Sequence, residues 1–190
     1  DLRGNLLTTV PAELGDCVAL EELWLNENEI TQVPASLGNL ERLEVMWLDK
    51  NQLESVPKEL GKLANLEVLQ LSRNQLTSVP KELGKLSALR ELHLGRNQLT
   101  AVPPELKKLT ALEWLDLRSN QLTAIPGELS QLTTLEKLHM GKNKLKTIPA
   151  KLGKLTNLKE LDLTKNQPSS IPSEWKVGGK LEKAGCAIAR

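Results

Sequence analysis

An asparagine recurs at every 23rd residue along nearly the whole chain. The series runs without insertion through Asn5, Asn28, Asn51, Asn74, Asn97, Asn120, Asn143 and Asn166. A period of this length indicates a stack of similar structural units rather than one globular core. The sequence therefore predicts a repeat architecture in which each unit contacts mainly its neighbours.

Each unit also has a fixed pattern of apolar residues. Counted from its first leucine, the unit at Leu66 has apolar residues at positions 1, 4, 6, 11, 14, 18 and 21, Asn at 9 and Pro at 15. Positions 4 and 6, here Leu69 and Leu71, alternate with a period of two and predict a short strand whose positions 3, 5 and 7 face away from the core. The same template begins at Leu20, Leu43, Leu89, Leu112, Leu135 and Leu158.

The second half of the unit predicts a turn and a short helical segment. The position-9 Asn can satisfy backbone groups of its own and the neighbouring unit, so stacked units should form an asparagine ladder. Pairs such as Val56-Pro57 favour an extended residue followed by one α or 3-10 turn. We expect Gly84 to end its turn with left-handed backbone angles. Because the strand side and the helical side differ in width, the stack should curve with its parallel sheet on the concave surface.

The template L-x-x-L-x-L-x-x-N-x-L-x-x-V/I-P-x-x-L-x-x-L resembles the leucine-rich-repeat family. Its 23-residue, Pro-containing form is similar to intracellular Ras-binding scaffolds, plant intracellular Ras-group proteins and the repeat regions of Roco GTPases. The resemblance implies an α/β solenoid with a parallel sheet on the concave face and short helical turns on the convex face. For function it implies protein or peptide recognition, because this family attaches one scaffold to many partners.

The repeat pattern weakens at the carboxyl end. Pro168 replaces the leucine of position 11. The segment from Leu181 to Cys186 indicates a degenerate strand, with Ala184 and Cys186 directed inward, and leads to Ala189 where the next ladder asparagine would be. We therefore predict a repeat array over residues 1–167 and a carboxyl-terminal cap over residues 168–190, built on Trp175, Leu181 and Cys186. Cys17 aligns with core leucines of other units and is predicted to be buried.

Composition indicates where the protein is located but does not identify its partner. No apolar run is long enough to cross a membrane, and the two cysteines and the absence of Asn-x-Ser/Thr sites favour a cytoplasmic location over secretion. Residues 1–57 carry 11 acidic and 3 basic side chains (−8), whereas residues 58–190 carry 13 acidic and 22 basic ones (+9). This end-to-end asymmetry can orient a charged partner.

The outward strand positions contain three of the four tryptophans. Trp24 and Trp47 share position 5 on adjacent strands, with Val45 and Val68 at position 3, and Trp114 lies at position 3 of a later strand. We predict that Trp24, Trp47 and Val45 form one apolar patch. Tryptophan without a core role is typical of an interface anchor, although aromatic side chains can also simply cover a sheet.

Position 5 continues as a polar row that could suggest chemistry. The row reads Gln70, His93, Asp116, His139 and Asp162. Imidazole and carboxylate can bind metals or transfer protons, but an open sheet has no cleft to exclude water. A ladder of His–Asp charge pairs is the preferred interpretation.

Basic residues at positions 7 and 8 flank this row; we call Arg73, Arg96, Arg118, Lys142 and Lys165 the basic rim. Acidic residues interrupt it, which disfavours nucleic acid and favours a solvated or protein-binding surface. The chain has no phosphate-binding loop, nucleophile elbow or zinc signature, so we expect no enzyme activity, no cofactor and no metal.

We therefore predict a monomeric module that binds a protein or peptide and has no membrane partner. The alternatives are a structural unit that associates with itself and the repeat region of a larger Roco-like signalling protein.

Overall fold

The computed structural model describes residues 1–175 and 187–189, and within them the chain forms one parallel sheet of eight short strands. The strands are β1 (Glu22–Trp24), β2 (Val45–Trp47), β3 (Val68–Gln70), β4 (Glu91–His93), β5 (Trp114–Asp116), β6 (Lys137–His139), β7 (Glu160–Asp162) and β8 (Ala187–Ala189). They follow one another in chain order. From β1 to β7 the register advances by one whole unit, so that Trp24 lies opposite Trp47 and His93 opposite Asp116. The predicted leucine-rich-repeat solenoid is confirmed.

The other side of each unit is a short 3-10 helix. The helices span Ala12–Asp16, Ala35–Asn39, Lys58–Lys62, Lys81–Lys85, Pro104–Lys108, Gly127–Gln131, Ala150–Lys154 and Ser173–Trp175. The position-15 proline is the residue just before the helix. Pro80, for example, is extended with φ −66° and ψ 140°. Its fixed φ aims the chain into the turn without losing a needed N–H group.

The glycine near the end of the turn has a different role from the one predicted. Gly84 does not have a positive φ; Gly4 is the one glycine with a positive φ in the described part of the chain. A Cβ atom at Gly84 would lie 2.3 Å from the backbone oxygen of Glu105 in the next unit. Glycine is therefore required because neighbouring turns approach closely, and the left-handed explanation was wrong.

Left-handed backbone occurs instead at position 8, just before the ladder asparagine. Its members have φ between 53° and 59°: Glu27, Lys50, Arg73, Arg96, Ser119, Lys142 and Lys165, with Gly4 at the equivalent place. Such angles are strained for residues with a Cβ atom. The hydrogen bonds of the position-9 asparagine stabilise the turn and offset this strain in each unit.

The core lies between the sheet and the helices and consists almost entirely of leucine. Leu66, Leu69 and Leu71 have no exposed surface. Beside them, Nδ2 of Asn97 donates to the carbonyls of Leu71 and Leu94, both at 3.0 Å. Its Oδ1 accepts from the N–H of Leu76, also at 3.0 Å. The asparagines thus connect consecutive units through backbone groups.

The two ends depart from the predictions. Cys17 is exposed, not buried, because its unit is the first described one and no earlier turn covers it. At the other end, Ile188 rather than Ala184 lies opposite Leu161, so the predicted register of the last strand was wrong. Trp175 is fully buried. The predicted cap residues Leu181 and Cys186 lie outside the described residues.

No helix in the described ranges has the length and apolar character needed to span a lipid bilayer.

Candidate functional site

The first feature of the concave face is a pair of stacked indoles. The rings of Trp24 and Trp47 lie 4.8 Å apart at 24°. They stack because both side chains leave position 5 of register-matched strands. The Arg3 guanidinium covers the free face of Trp24 at 4.6 Å, and Trp24 Nε1 donates to Glu22 at 2.9 Å. The ring of Trp24 is therefore contacted by both Trp47 and Arg3, and both indoles remain partly exposed.

The predicted valines lie beside this pair, Val45 on the same strand as Trp47 and Val68 on β3. Val45 and Val68 are partly buried, and each lies opposite the other in the β2–β3 register. The structure thus brings the Trp pair and Val45 onto one continuous surface of β1 and β2. We call Trp24, Trp47 and Val45 the apolar patch.

A second aromatic group forms around Trp114, which the sequence placed outside the patch. Trp114 contacts His93 edge-on at 4.5 Å and His139 at 5.8 Å, and the Lys137 ammonium lies 4.5 Å above its ring. These contacts run diagonally from position 3 of β5 to position 5 of β4 and β6. Sequence reasoning paired residues only at equal positions, although long side chains on adjacent strands also reach diagonal neighbours.

The polar row at position 5 does not form the predicted ladder of His–Asp pairs. Gln70, His93, Asp116, His139 and Asp162 are neighbours in register. Among the described residues, however, their polar partners lie elsewhere. His93 contacts Glu91 at 2.9 Å, and His139 contacts Glu160 at 3.3 Å.

Each aspartate of the row binds residues two places later in its own unit. Asp116 accepts from the N–H, Nε and Nη2 of Arg118 at 2.9, 3.0 and 2.8 Å, and this side-chain hydrogen bond raises the pKa of Arg118. Asp162 accepts from the N–H and Oγ1 of Thr164 at 2.9 and 2.7 Å. A Cβ atom at Gly141 would lie 2.5 Å from Asp162 Oδ2, so glycine in the preceding unit provides the space for the carboxylate.

The basic rim borders a shallow depression of about 490 Å³. Arg73, Arg96, Arg118 and Lys142 line it, together with Gln70, His93, Trp114 and Asp116. Lys165, one unit beyond Lys142, does not line it. Of the predicted site residues from β3 onward, Val68 and His139 do not line this depression. The others do, next to the apolar patch: Gln70, His93, Trp114, Asp116, Arg118 and Asp162.

Asp49 and Asn26, at position 7 of consecutive units, are polar groups that sequence reasoning did not single out. Each has a buried Oδ1 without a hydrogen-bond partner within the described residues. Burial raises the pKa of the Asp49 carboxyl above its usual value. Asp49 could have been noticed from the sequence, because it is an acidic residue at an outward position close to Trp24 and Trp47.

The concave face offers contact groups on an open surface. In the described part of the chain, no three His, Cys, Asp or Glu side chains are placed to hold a metal ion. Of the three carboxylates that line the depression, Asp116 and Asp162 are already hydrogen-bonded, whereas Asp49 Oδ1 is buried without a partner among the described residues. What the face offers is exposed apolar edges and charged groups on a rigid sheet.

Comparisons with known proteins identify the repeat. The family model described as a leucine-rich repeat region matches residues 1–99 and 81–182. No curated protein sequence matches the chain. Among solved structures, a leucine-rich-repeat protein of Leptospira interrogans is 41% identical with a TM-score of 0.84, covering 88% of this chain and 43% of its own.

Two further structures extend the likeness. An internalin from Listeria monocytogenes is 26% identical with a TM-score of 0.80, over 95% of this chain and 50% of its own. A plant peptide hormone receptor, solved in complex with RGF2, is 35% identical with a TM-score of 0.79, over 86% of this chain and 27% of its own. This chain thus spans half or less of the length of each of the three proteins.

Proposed function

The chain belongs to the leucine-rich-repeat family, and we propose that it is a recognition module that binds a protein or peptide on the concave face of its sheet. Members of this family commonly act in protein–protein recognition, and the similar plant receptor was solved with a peptide hormone. The proposed contact surface comprises the apolar patch, Val68, Trp114 and the position-5 row, together with the depression lined by Arg118.

The observation that supports this proposal most is the Trp24–Trp47 stack. Both indoles lie outside the core yet are held rigidly, by each other and by the Trp24–Glu22 hydrogen bond. Tryptophan contributes a disproportionate share of binding energy at interfaces, and a preorganised side chain loses little entropy on binding. Such a pair on an open sheet is the composition of an interface anchor.

The test is an affinity capture that compares the intact chain with the Trp24→Ala/Trp47→Ala variant. We expect the intact chain to retain a reproducible set of proteins that the variant loses. The control is Leu6→Ala/Val18→Ala, which removes exposed apolar side chains away from the concave face. If the Trp variant retains the same proteins as the intact chain, the concave anchor is excluded.

Self-association is the second candidate. The exposed large apolar residues of the described chain, Leu2, Leu6 and Val18, all lie at the amino-terminal end of the stack. Leu2 and Gly4 already donate backbone hydrogen bonds to Trp24 and Asn26 at the edge of β1, at 2.8 and 3.1 Å. A second copy could cover the apolar residues and continue the stack beyond residues 2–4. Light scattering across a concentration series tests this: a mass that stays monomeric removes the candidate, whereas a concentration-dependent dimer that Leu6→Ala dissociates supports it.

A further inference from the structure

Four of the five basic-rim residues form no ion pair among the described residues, and three of these four border the depression. Within the described residues, Arg73, Arg96 and Lys142 form no ion pair and no side-chain hydrogen bond, although all three are exposed on the border of the depression. Arg73 exerts only a weak Coulomb effect on Asp49. Lys165 is also unpaired but does not line the depression. By contrast, Arg118 binds Asp116 at 2.8 Å, and Lys137 lies 3.7 Å from Glu160.

The acidic residues inside the depression do not compensate these cations. Asp116 uses both carboxylate oxygens on Arg118, and Asp162 accepts two hydrogen bonds from Thr164. They lie low, over Gly95 and Gly141 of the preceding units. Asp49, the third acidic residue of the lining, has a buried Oδ1. The exposed border therefore presents positive charge to a partner, while the negative charges lie below it.

The depression and the apolar patch form one surface. Gln70, which lines the depression, lies directly opposite Trp47 in the β2–β3 register. A chain that crosses the strands can therefore touch the exposed indole edges on β1 and β2 and then reach Arg73 and Arg96, which follow β3 and β4. Two strand spacings separate the centres of these two pairs, or roughly 10 Å at about 4.8 Å per strand.

We propose that the partner is an extended, acidic peptide segment that packs a large apolar side chain against Trp24 and Trp47 and places a carboxylate between Arg73 and Arg96. At about 3.3 Å per residue, the two side chains are about three residues apart. This inference rests on the proposed function and specifies the class of its partner.

A carboxylate fits better than a polyanion for two reasons. Guanidinium groups match a planar carboxylate with paired hydrogen bonds. The negative charges of Asp49, Asp116 and Asp162 line the same depression and would repel a nucleic-acid backbone or a dianionic phosphate more strongly than a single carboxylate. Ser119 also interrupts the row of position-8 cations between Arg96 and Lys142.

The test begins with selection of a random peptide library on the intact chain. We expect enrichment of sequences that contain a large apolar residue and an Asp or Glu about three residues away. One selected peptide is then synthesised, and its dissociation constant is measured against the intact chain and three variants: Arg73→Gln/Arg96→Gln, Trp24→Ala/Trp47→Ala and the control Lys165→Gln/Lys146→Gln.

The control removes the same charge from exposed lysines that do not line the depression. Thermal melting of each variant confirms that it is folded. We expect Arg73→Gln/Arg96→Gln to weaken binding by about tenfold or more and to reduce its salt dependence, since a charge-assisted contact is lost. The control should stay within about twofold, because it changes only the distant field.

The outcomes separate the two proposals. Peptides that bind through Trp24 and Trp47 but contain no acidic residue, or that are insensitive to the arginine variant, would overturn the acidic partner and leave concave-face recognition intact. Peptides that are insensitive to both variants, or a library from which none is enriched, would overturn both proposals.

Discussion

At the scale of single residues, the ladder asparagines stabilise the stack by joining the backbones of neighbouring units. Asn97 joins three backbone groups of two units in a dry environment, where a lost partner leaves a polar group unsatisfied. The leucine carbonyls also accept from neighbouring asparagines, as Leu94 does from Asn120 at 3.0 Å. The N–H of Leu76 has no such second partner.

Asn97→Ala should therefore lower the free energy of unfolding by about 2 to 4 kcal/mol, as expected for a buried unsatisfied donor together with the lost bonds to Leu71 and Leu94. Urea denaturation measures this change. Asn65→Ala is the control, because Asn65 is exposed and donates only to the Glu41 carbonyl at 2.7 Å. Its cost should stay below about 1 kcal/mol, and equal costs at the two sites would contradict the ladder's role.

Asp49 provides a prediction about pH. Because burial raises its folded-state pKa, the carboxylate disfavours folding, and the stability present at low pH is lost as the pH rises through that pKa. Asp49→Asn should therefore raise the melting temperature at neutral pH. The gain should disappear as the pH falls below the ordinary carboxyl range near about 4.

Glu27→Gln serves as a comparison of opposite sign. The hydrogen bond from Lys50 lowers the pKa of Glu27, so its stabilising effect is present at neutral pH and lost on acidification. Melting curves of both variants across the acidic range give the measurement. If the rise in melting temperature of Asp49→Asn were independent of pH, packing and not charge would be responsible.

At the scale of elements, the spacing between consecutive 3-10 helices depends on glycine. A Cβ atom at Gly61 would lie 2.3 Å from the backbone oxygen of Glu82, and backbone cannot move aside as a flexible side chain can. Gly61→Ala should destabilise the chain by about 1 to 3 kcal/mol, the usual cost of overpacking. Thermal or urea unfolding measures the loss.

The matched control is Gly127→Ala, at the start of another helix of the same length. There the nearest atoms to an added Cβ lie 3.5 Å away, at ordinary contact distance. We expect no loss, or a small gain from reduced freedom of the unfolded chain. If Gly61→Ala were as stable as Gly127→Ala, close approach of the turns could not explain the glycine.

The accuracy of the sequence predictions differs between these elements for a physical reason. The strands and the buried face of the sheet were predictable from residues such as Leu69 and Leu71, because their alternation within one unit defines which side is buried. The role of Gly84 and the left-handed backbone of Arg73 did not, because both depend on the fit between successive units. The pattern within one unit does not specify how closely the backbones of successive units approach each other.

The candidate site shows the same division. The Trp24–Trp47 contact was predictable because equal positions on register-matched strands are adjacent. The partners of the position-5 row were not: Asp116 turns towards Arg118 in its own unit rather than towards His93. That choice depends on side-chain rotamers and on the space above Gly95, neither of which periodicity specifies.

At the scale of the whole molecule, charge and packing vary along the stack in different ways. The acidic end contains the apolar patch, whereas the basic end contains the depression and its unpaired cations. Core packing is instead nearly uniform from Leu43 to Leu155, where each unit buries apolar residues at the same positions, with methionine in place of leucine only at Met46 and Met140. Loss of one interior unit should therefore have a similar effect on stability wherever it occurs, whereas loss of an end unit should have a different effect.

The carboxyl end is where this difference can be tested. Trp175 is fully buried and Ile171 packs against the core, while β8 pairs with β7 and so covers the last edge of the sheet. Ser169 and Ser170 add backbone hydrogen bonds to Lys146 and Ile148 at 2.8 and 3.1 Å. Removal of residues 168–190 would expose the leucines of the unit at Leu135 and an unpaired strand.

We predict that this truncation lowers the melting temperature strongly and promotes aggregation. Each large buried side chain contributes about 1.5 to 3 kcal/mol, and whole domains are stable by only about 5 to 15 kcal/mol. The control is deletion of residues 89–111, which also removes 23 residues but takes out one complete interior unit and joins equivalent positions. In a solenoid this costs one unit and one interface, so the melting temperature should fall less and the chain should stay monodisperse. Calorimetry and light scattering of the two deletions decide the matter: a truncated chain as stable as the interior deletion would show that residues 168–190 do not act as a cap.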